Sequence, residues 1–183
     1  MAKLQGVDPP RLRRAYFESR HGQLHVHNAI PVGGGFDELT TLVCLHGSGT
    51  TGRSFVELSK RLGRTRSTYN PDLPGSGESD GPASMSAGAY AEAIGDFLDS
   101  MRFRQVDLLG AGTGAAVAVE LALLRPKVAR KVVLLATIQP EGWRAASRLT
   151  LLKQPLLDAP EVLPQQVEQA EGKMVSRLLE FLA

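Results

Sequence analysis

The chain has 183 residues, a length that suits one domain with a core of its own. Hydrophobic residues make up 43%, charged residues 22%, and the formal charge is +2, which together describe an ordinary globular domain and exclude a nucleic-acid binder by charge. The single cysteine, Cys44, excludes an internal disulfide and a cysteine-built metal site. No stretch is apolar for long enough to cross a membrane or form a signal-peptide core, so a soluble cytoplasmic protein without a membrane partner is expected.

In chain order, residues 1–12 are expected to be a flexible arm, with Arg11, Arg13 and Arg14 as a solvated basic cluster at its end. Tyr16-Phe17-Glu18-Ser19 and Leu24-His25-Val26-His27 flank a His21-Gly22 turn, the pattern of a hairpin. His25 and His27 share one face of the second strand. With no third ligand nearby in the sequence, they read as a solvent-facing edge, and no metal site is expected. After a loop over 31–35, Thr41-Leu42-Val43-Cys44-Leu45 is a continuous apolar run, the mark of a strand buried on both faces. Cys44 within it is a small core residue.

That strand ends in His46-Gly47-Ser48-Gly49, and a helix with Phe55, Leu58 and Leu62 on its buried face follows. Ser67-Thr68-Tyr69-Asn70 predicts another strand, which runs into the polar loop Pro71-Asp72-Leu73-Pro74-Gly75-Ser76-Gly77-Glu78-Ser79. Asp72 and Glu78 there are expected to anchor turns. Ser86 is placed to cap a helix whose apolar stripe is Tyr90, Ile94, Phe97, Leu98 and Met101. Val106 to Leu109 then meets the glycine cluster Gly110-Ala111-Gly112-Thr113-Gly114 and passes directly into an Ala/Val/Leu-rich helix over 113–125. Residues 128–136 form a further buried strand, and Leu163, Val167, Ala170, Met174, Leu178 and Phe181 mark an amphipathic helix. Strands alternating with helices predict an α/β fold, a doubly wound, mostly parallel sheet flanked by helices, as a single domain over 1–183.

Three of these stretches resemble the α/β-hydrolase fold family in order and spacing: the His46-Gly47-Ser48-Gly49 strand end, the Asp72 to Ser79 loop, and the Gly110-x-Gly112-x-Gly114 turn. The resemblance covers residues 13–137. It implies that the turn is the nucleophile elbow, Gly-x-Ser-x-Gly, and that backbone N–H groups of Ser48 or Gly49 and of Thr113 form the oxyanion hole and bind substrate. It also implies a structural role for His46, a hydrolase activity on small ester or carbonyl compounds, and no cofactor. The departures are as informative. The nucleophile position is Gly112, which has no side chain, and all four histidines (His21, His25, His27, His46) precede residue 47. No intact catalytic set is therefore expected; were a base present elsewhere, Glu141 or Asp158 would be the first places to look.

Two readings of the last quarter stay open. Residues 148–152 resemble the family's last strand, with Gln154 near its histidine position and the cap region plus one strand missing between about 140 and 147. Alternatively, 142–153 is a simple amphipathic helix. Missing late strands would leave the strand at 128–136 near an open edge and favour a homodimer. The turn at Gly110–Ala115 also satisfies the dinucleotide fingerprint, but the next strand ends Leu134-Leu135-Ala136-Thr137, with no carboxylate to hold a ribose. Two functions remain: a hydrolase-family protein whose Ser–His machinery is lost, or a non-enzymatic small-molecule-binding or self-associating module on the same fold.

Overall fold

The alternation of polar and apolar residues on either side of His21-Gly22 closes as a hairpin. In the computed structural model, which describes residues 8–33, 39–135 and 149–152, β1 (Arg11–Ser19) pairs antiparallel with β2 (Gly22–Ile30). Arg11 and Leu12 thus begin a strand and do not end a flexible arm, and the three arginines lie along it. Arg20 at the turn ties the hairpin to the helix Ala87–Ser100: its guanidinium grips both carboxylate oxygens of Asp96 at 2.9 Å and reaches Glu92 at 2.7 Å. This pairing holds the Asp96 carboxyl below the usual aspartate range.

The remaining strands are β3 (Leu42–Leu45), β4 (Thr68–Pro71), β5 (Val106–Ala111), β6 (Ala129–Leu135) and β7 (Leu149–Leu152), joined by α1 (Val56–Leu62), α2 (Ala87–Ser100) and α3 (Thr113–Leu124). A 3-10 turn, Gly52–Phe55, leads into α1. The sheet order is β1-β2-β4-β3-β5-β6-β7, parallel from β4 to β7 and antiparallel on the hairpin side. From β3 the chain steps through α1 to β4 on one side. It then crosses back through α2 to β5 on the other. This reversal leaves a crevice above the carboxyl ends of β3 and β5, where open α/β sheets bind ligands.

Side-chain alternation explains the continuous apolar runs. Val43, Leu45, Leu108, Val132 and Leu134 join Ile94, Phe97, Val117 and Leu121 of α2 and α3 in one core. Leu42, Cys44, Leu109, Val133 and Leu135 point the other way and join Phe55 and Leu62. Strands covered on both faces need apolar residues at every position. Burial raises the Cys44 thiol far above its ordinary range, which leaves it an inert core residue. Ser86 caps α2 as expected, accepting from the Ala89 N–H at 3.2 Å. Gly114 is required by close approach: a β-carbon there would collide with the carbonyls of Leu45 and His46, so α3 could not seat on the end of β3.

β7 settles one open reading at its own residues. Leu149–Leu152 is a strand, parallel to β6 with Val132 opposite Leu149, so a helix over 142–153 does not form there. It also covers β6, so the open edge expected at 128–136 is absent and the dimer argument loses its premise. Among the described residues β1 is an outer strand, and its arginines are the kind of charge that discourages edge pairing. The helix expected over 163–181, together with Glu141, Gln154 and Asp158, lies outside the described residues.

One charge breaks the apolar pattern of β5. Asp107, at its amino end, is fully buried and sits between Arg130, which binds both its oxygens at 2.8 and 2.6 Å, and the equally buried Arg66 at 3.2 Å. A carboxylate is tolerated in this interior because it is paired and hydrogen-bonded. Asp107→Ala removes the acceptor from between two guanidiniums and should destabilise the fold by about 3–5 kcal/mol. A urea midpoint within error of the parent chain would count against this account.

Candidate functional site

The crevice between β3 and β5 is built from two loops. At the end of β5, Gly112 adopts φ 53° and ψ −121° and turns the chain into α3. Its N–H donates to the Leu135 carbonyl at 3.0 Å, and its carbonyl accepts from Ala115 N–H at 3.0 Å. A positive φ of this kind suits glycine and strains any side-chain-bearing residue. There is nonetheless room: a β-carbon on Gly112 would meet only the Cα of Gly47, at 3.5 Å.

The facing loop begins at His46, which is buried. Its Nδ1 bonds the Gly47 carbonyl at 2.9 Å, while Nε2 accepts the Leu73 N–H at 2.8 Å. This fixes the neutral tautomer with the proton on Nδ1, and burial lowers the His46 pKa below 6.5. Both nitrogens are occupied, so His46 ties the Asp72 loop to the β3 loop and cannot act as a base. Ser48 and Thr113 meet across the crevice, hydroxyl to hydroxyl at 2.6 Å, and Ser48 N–H donates to the Thr113 hydroxyl at 3.3 Å. The expected grouping of Ser48, Gly112 and Thr113 is therefore present, with Gly49 exposed beside it at φ 75°. The Ser48 N–H, however, is turned toward Thr113. Thr113 N–H, in the first turn of α3, has no intrahelical acceptor and lies at the positive helix end.

The other histidines are elsewhere. His21 is in the hairpin turn, and β2, which carries His25 and His27, is separated from β5 by β4 and β3. Three strand spacings of roughly 4.8 Å put β2 about 14 Å from the elbow, far beyond hydrogen-bond reach. β2 is moreover an interior strand, and His25 is buried; the solvent-facing edge expected for it does not hold. Its Nδ1 bonds Asp72 Oδ2 at 2.9 Å, a partner 47 residues away. Asp72 is a hub. Its Oδ1 accepts from Gly52 N–H at 2.7 Å, its Oδ2 from Glu78 N–H at 3.0 Å, and its carbonyl from the Ser79 hydroxyl at 2.7 Å. The reading of Asp72 as a turn anchor holds, and the His25 contact was invisible in the sequence. On this side a cleft of about 880 Å³ opens between the hairpin and α1, lined by Arg14, His27, Asn70, Asp72, Gly77 and Glu78 among others.

Comparison with known proteins bears on the crevice. A profile described as "Alpha/beta hydrolase family" matches residues 42–181. The chain belongs to this family. An uncharacterized protein of Mycobacterium tuberculosis strain H37Rv is 27% identical over 134 residues, 73% of this chain and 37% of that protein. The 2-hydroxymuconate semialdehyde hydrolase of Pseudomonas sp. strain CF600 is 29% identical over 101 residues, 52% of this chain and 36% of the enzyme. Among solved structures, an epoxide hydrolase, CorEH, superposes with a TM-score of 0.62 at 17% identity, covering 87% of this chain and 49% of its own. The N-acyl homoserine lactonase AidH, complexed with N-butanoyl homoserine, gives a TM-score of 0.59 at 21% identity, covering 67% and 44%. The chain spans well under half the length of the curated relatives it matches. Among the described residues no helix is long and apolar enough to cross a membrane.

In this member of the α/β-hydrolase family the buried histidine carries a pH signature. His46 accepts a backbone bond only when neutral, and its folded pKa lies below 6.5. Its contribution is therefore fully present above about pH 6.5 and is lost as the pH falls below that value toward the folded-state pKa. His27, lowered mainly by burial and next by neighbouring His25, acts in the same direction. The urea midpoint should fall between pH 8 and pH 5.5, and His46→Gln, which keeps an acceptor but does not titrate, should flatten part of that slope. An unchanged slope in the variant would refute the assignment.

Proposed function

We propose that the crevice above β3 and β5 is a hydrolase-type site that binds small carbonyl or ester compounds but forms no covalent acyl-enzyme. The observation that carries this is Gly112: the backbone of a nucleophile elbow, with space above it, and no side chain to attack. Thr113 N–H remains as a donor for a carbonyl oxygen at the positive end of α3. The hydroxyls of Ser48 and Thr113 bond each other, and among the described residues no histidine reaches them, so neither is an activated nucleophile. Two of the named relatives support the ligand class, since by name they act on a semialdehyde and an acyl lactone.

The test is covalent labelling. With a fluorophosphonate probe or p-nitrophenyl acetate, intact-mass spectrometry should show no stoichiometric adduct and no burst. One adduct per chain, on Ser48, Thr113 or any other hydroxyl, would overturn the reading. Gly112→Ser sharpens it. The serine fits sterically but must adopt positive φ, so the variant should lose about 1–3 kcal/mol of stability. Without a base its activity should stay within the roughly 10³–10⁴-fold over water that donors and binding alone provide. Turnover well above that would show that a base is in reach.

A further inference from the structure

We propose that His25, His27 and Asp72 form a binding site for a divalent transition ion of the zinc class, distinct from the crevice and facing the cleft beside the hairpin. One ligand atom from each of the three lies within 4.8 Å of the others. His25 and Asp72 are 1% and 2% exposed, and Nδ1 and Oδ2 are already 2.9 Å apart. That is close to the separation of about 3.3 Å between two ligands on a tetrahedral ion at 2.0–2.1 Å. The His27 ring packs edge-on against His25 with centroids 4.6 Å apart, and among the described residues no hydrogen bond holds it, so it can turn toward a shared ion.

A second observation points the same way. Nε2 of His25 is buried and has no hydrogen-bond partner, yet Glu78 Oε2 lies 4.0 Å from it. With an ion on Nδ1, the imidazole proton moves to Nε2 and faces that carboxylate. This is the carboxylate–histidine–metal arrangement that orients ligating imidazoles. Glu78 is itself held by the Tyr16 hydroxyl at 2.7 Å, and the Asp72 carboxylate by the Gly52 and Glu78 N–H groups. The groups that hold Asp72 and Glu78 are thus in place before any ion arrives, and Glu78 has only to close from 4.0 Å to hydrogen-bond distance on the Nε2 proton. Arg14, opposite His27 on β1, is the cation facing His27; its contact with Glu78, at 3.7 Å, directs it toward the carboxylate. Two imidazoles and one carboxylate select Zn²⁺, Co²⁺ or Ni²⁺ over Ca²⁺ and Mg²⁺, which prefer oxygen ligands. The cleft, lined by His27, Asp72, Gly77 and Glu78, is the entry path and leaves a coordination position for water.

The experiment titrates the full, tag-free, chelator-treated chain with Zn²⁺ by calorimetry and with Co²⁺ by absorption. One equivalent should bind, with the intense visible bands of tetrahedral cobalt, in the presence of excess Mg²⁺. His27→Phe keeps a ring against His25, and circular dichroism confirms its fold. It should weaken binding at least tenfold, and Glu78→Gln about tenfold. Failure of the parent chain to take up one equivalent would overturn the proposal. So would uptake by folded His27→Phe equal to that of the parent, which would place the ion elsewhere.

Discussion

The geometry of this chain depends on how closely the first turn of α3 approaches the end of β3. Gly114 lies directly against the carbonyls of Leu45 and His46, where no β-carbon fits. That approach brings Gly112 beside Gly47 and sets the Ser48 and Thr113 hydroxyls 2.6 Å apart. It works because β3 and β5 are sheet neighbours although far apart in the chain, a consequence of the crossover through α2. The helix dipole and the unsatisfied N–H groups of its first turn are thereby aimed at one point. The three glycines of the turn are explained by packing at Gly110 and Gly114 and by backbone conformation at Gly112.

A second centre, the Asp72 carboxylate, organises everything on the hairpin side. Four groups from three segments converge on this residue: Gly52, Glu78 and Ser79 from the loops, and His25 from β2. His46 links the two centres through the Leu73 N–H. A buried carboxylate is tolerated only when fully hydrogen-bonded, so the Gly52, Glu78 and His25 donors to its oxygens are requirements of the fold as well as candidate elements of chemistry. Asp107 follows the same rule at the opposite end of the sheet, with guanidiniums in place of N–H groups. Among the described residues the two buried carboxylates thus lie at opposite ends of the strands.

What could be read in the chain itself follows from local physics. Continuous apolar runs meant strands covered on both faces, glycines at a strand end meant a sharp turn into a helix, and Ser86 before an apolar stripe meant a cap. All of these are short-range effects of side-chain period and backbone freedom. The absence of a side chain at Gly112 was equally legible, because it is a property of one position in a recognisable turn. The flexible arm failed at Arg11 and Leu12 because charged residues are well tolerated on an outer strand, where solvent and strand share them.

The sequence by itself determined the order of strands and helices and the place of the glycine turn that opens α3, since each rests on neighbours within a few residues. Only the tertiary structure decided what His25 faces, that Leu149–Leu152 pairs with β6, and that Ser48 N–H turns to Thr113. His25 and Asp72 are 47 residues apart, and their meeting depends on β4 inserting between β2 and β3. Strand order of that kind is set by how both faces of the whole sheet are covered, a sum over many weak apolar contacts that no short window of sequence contains.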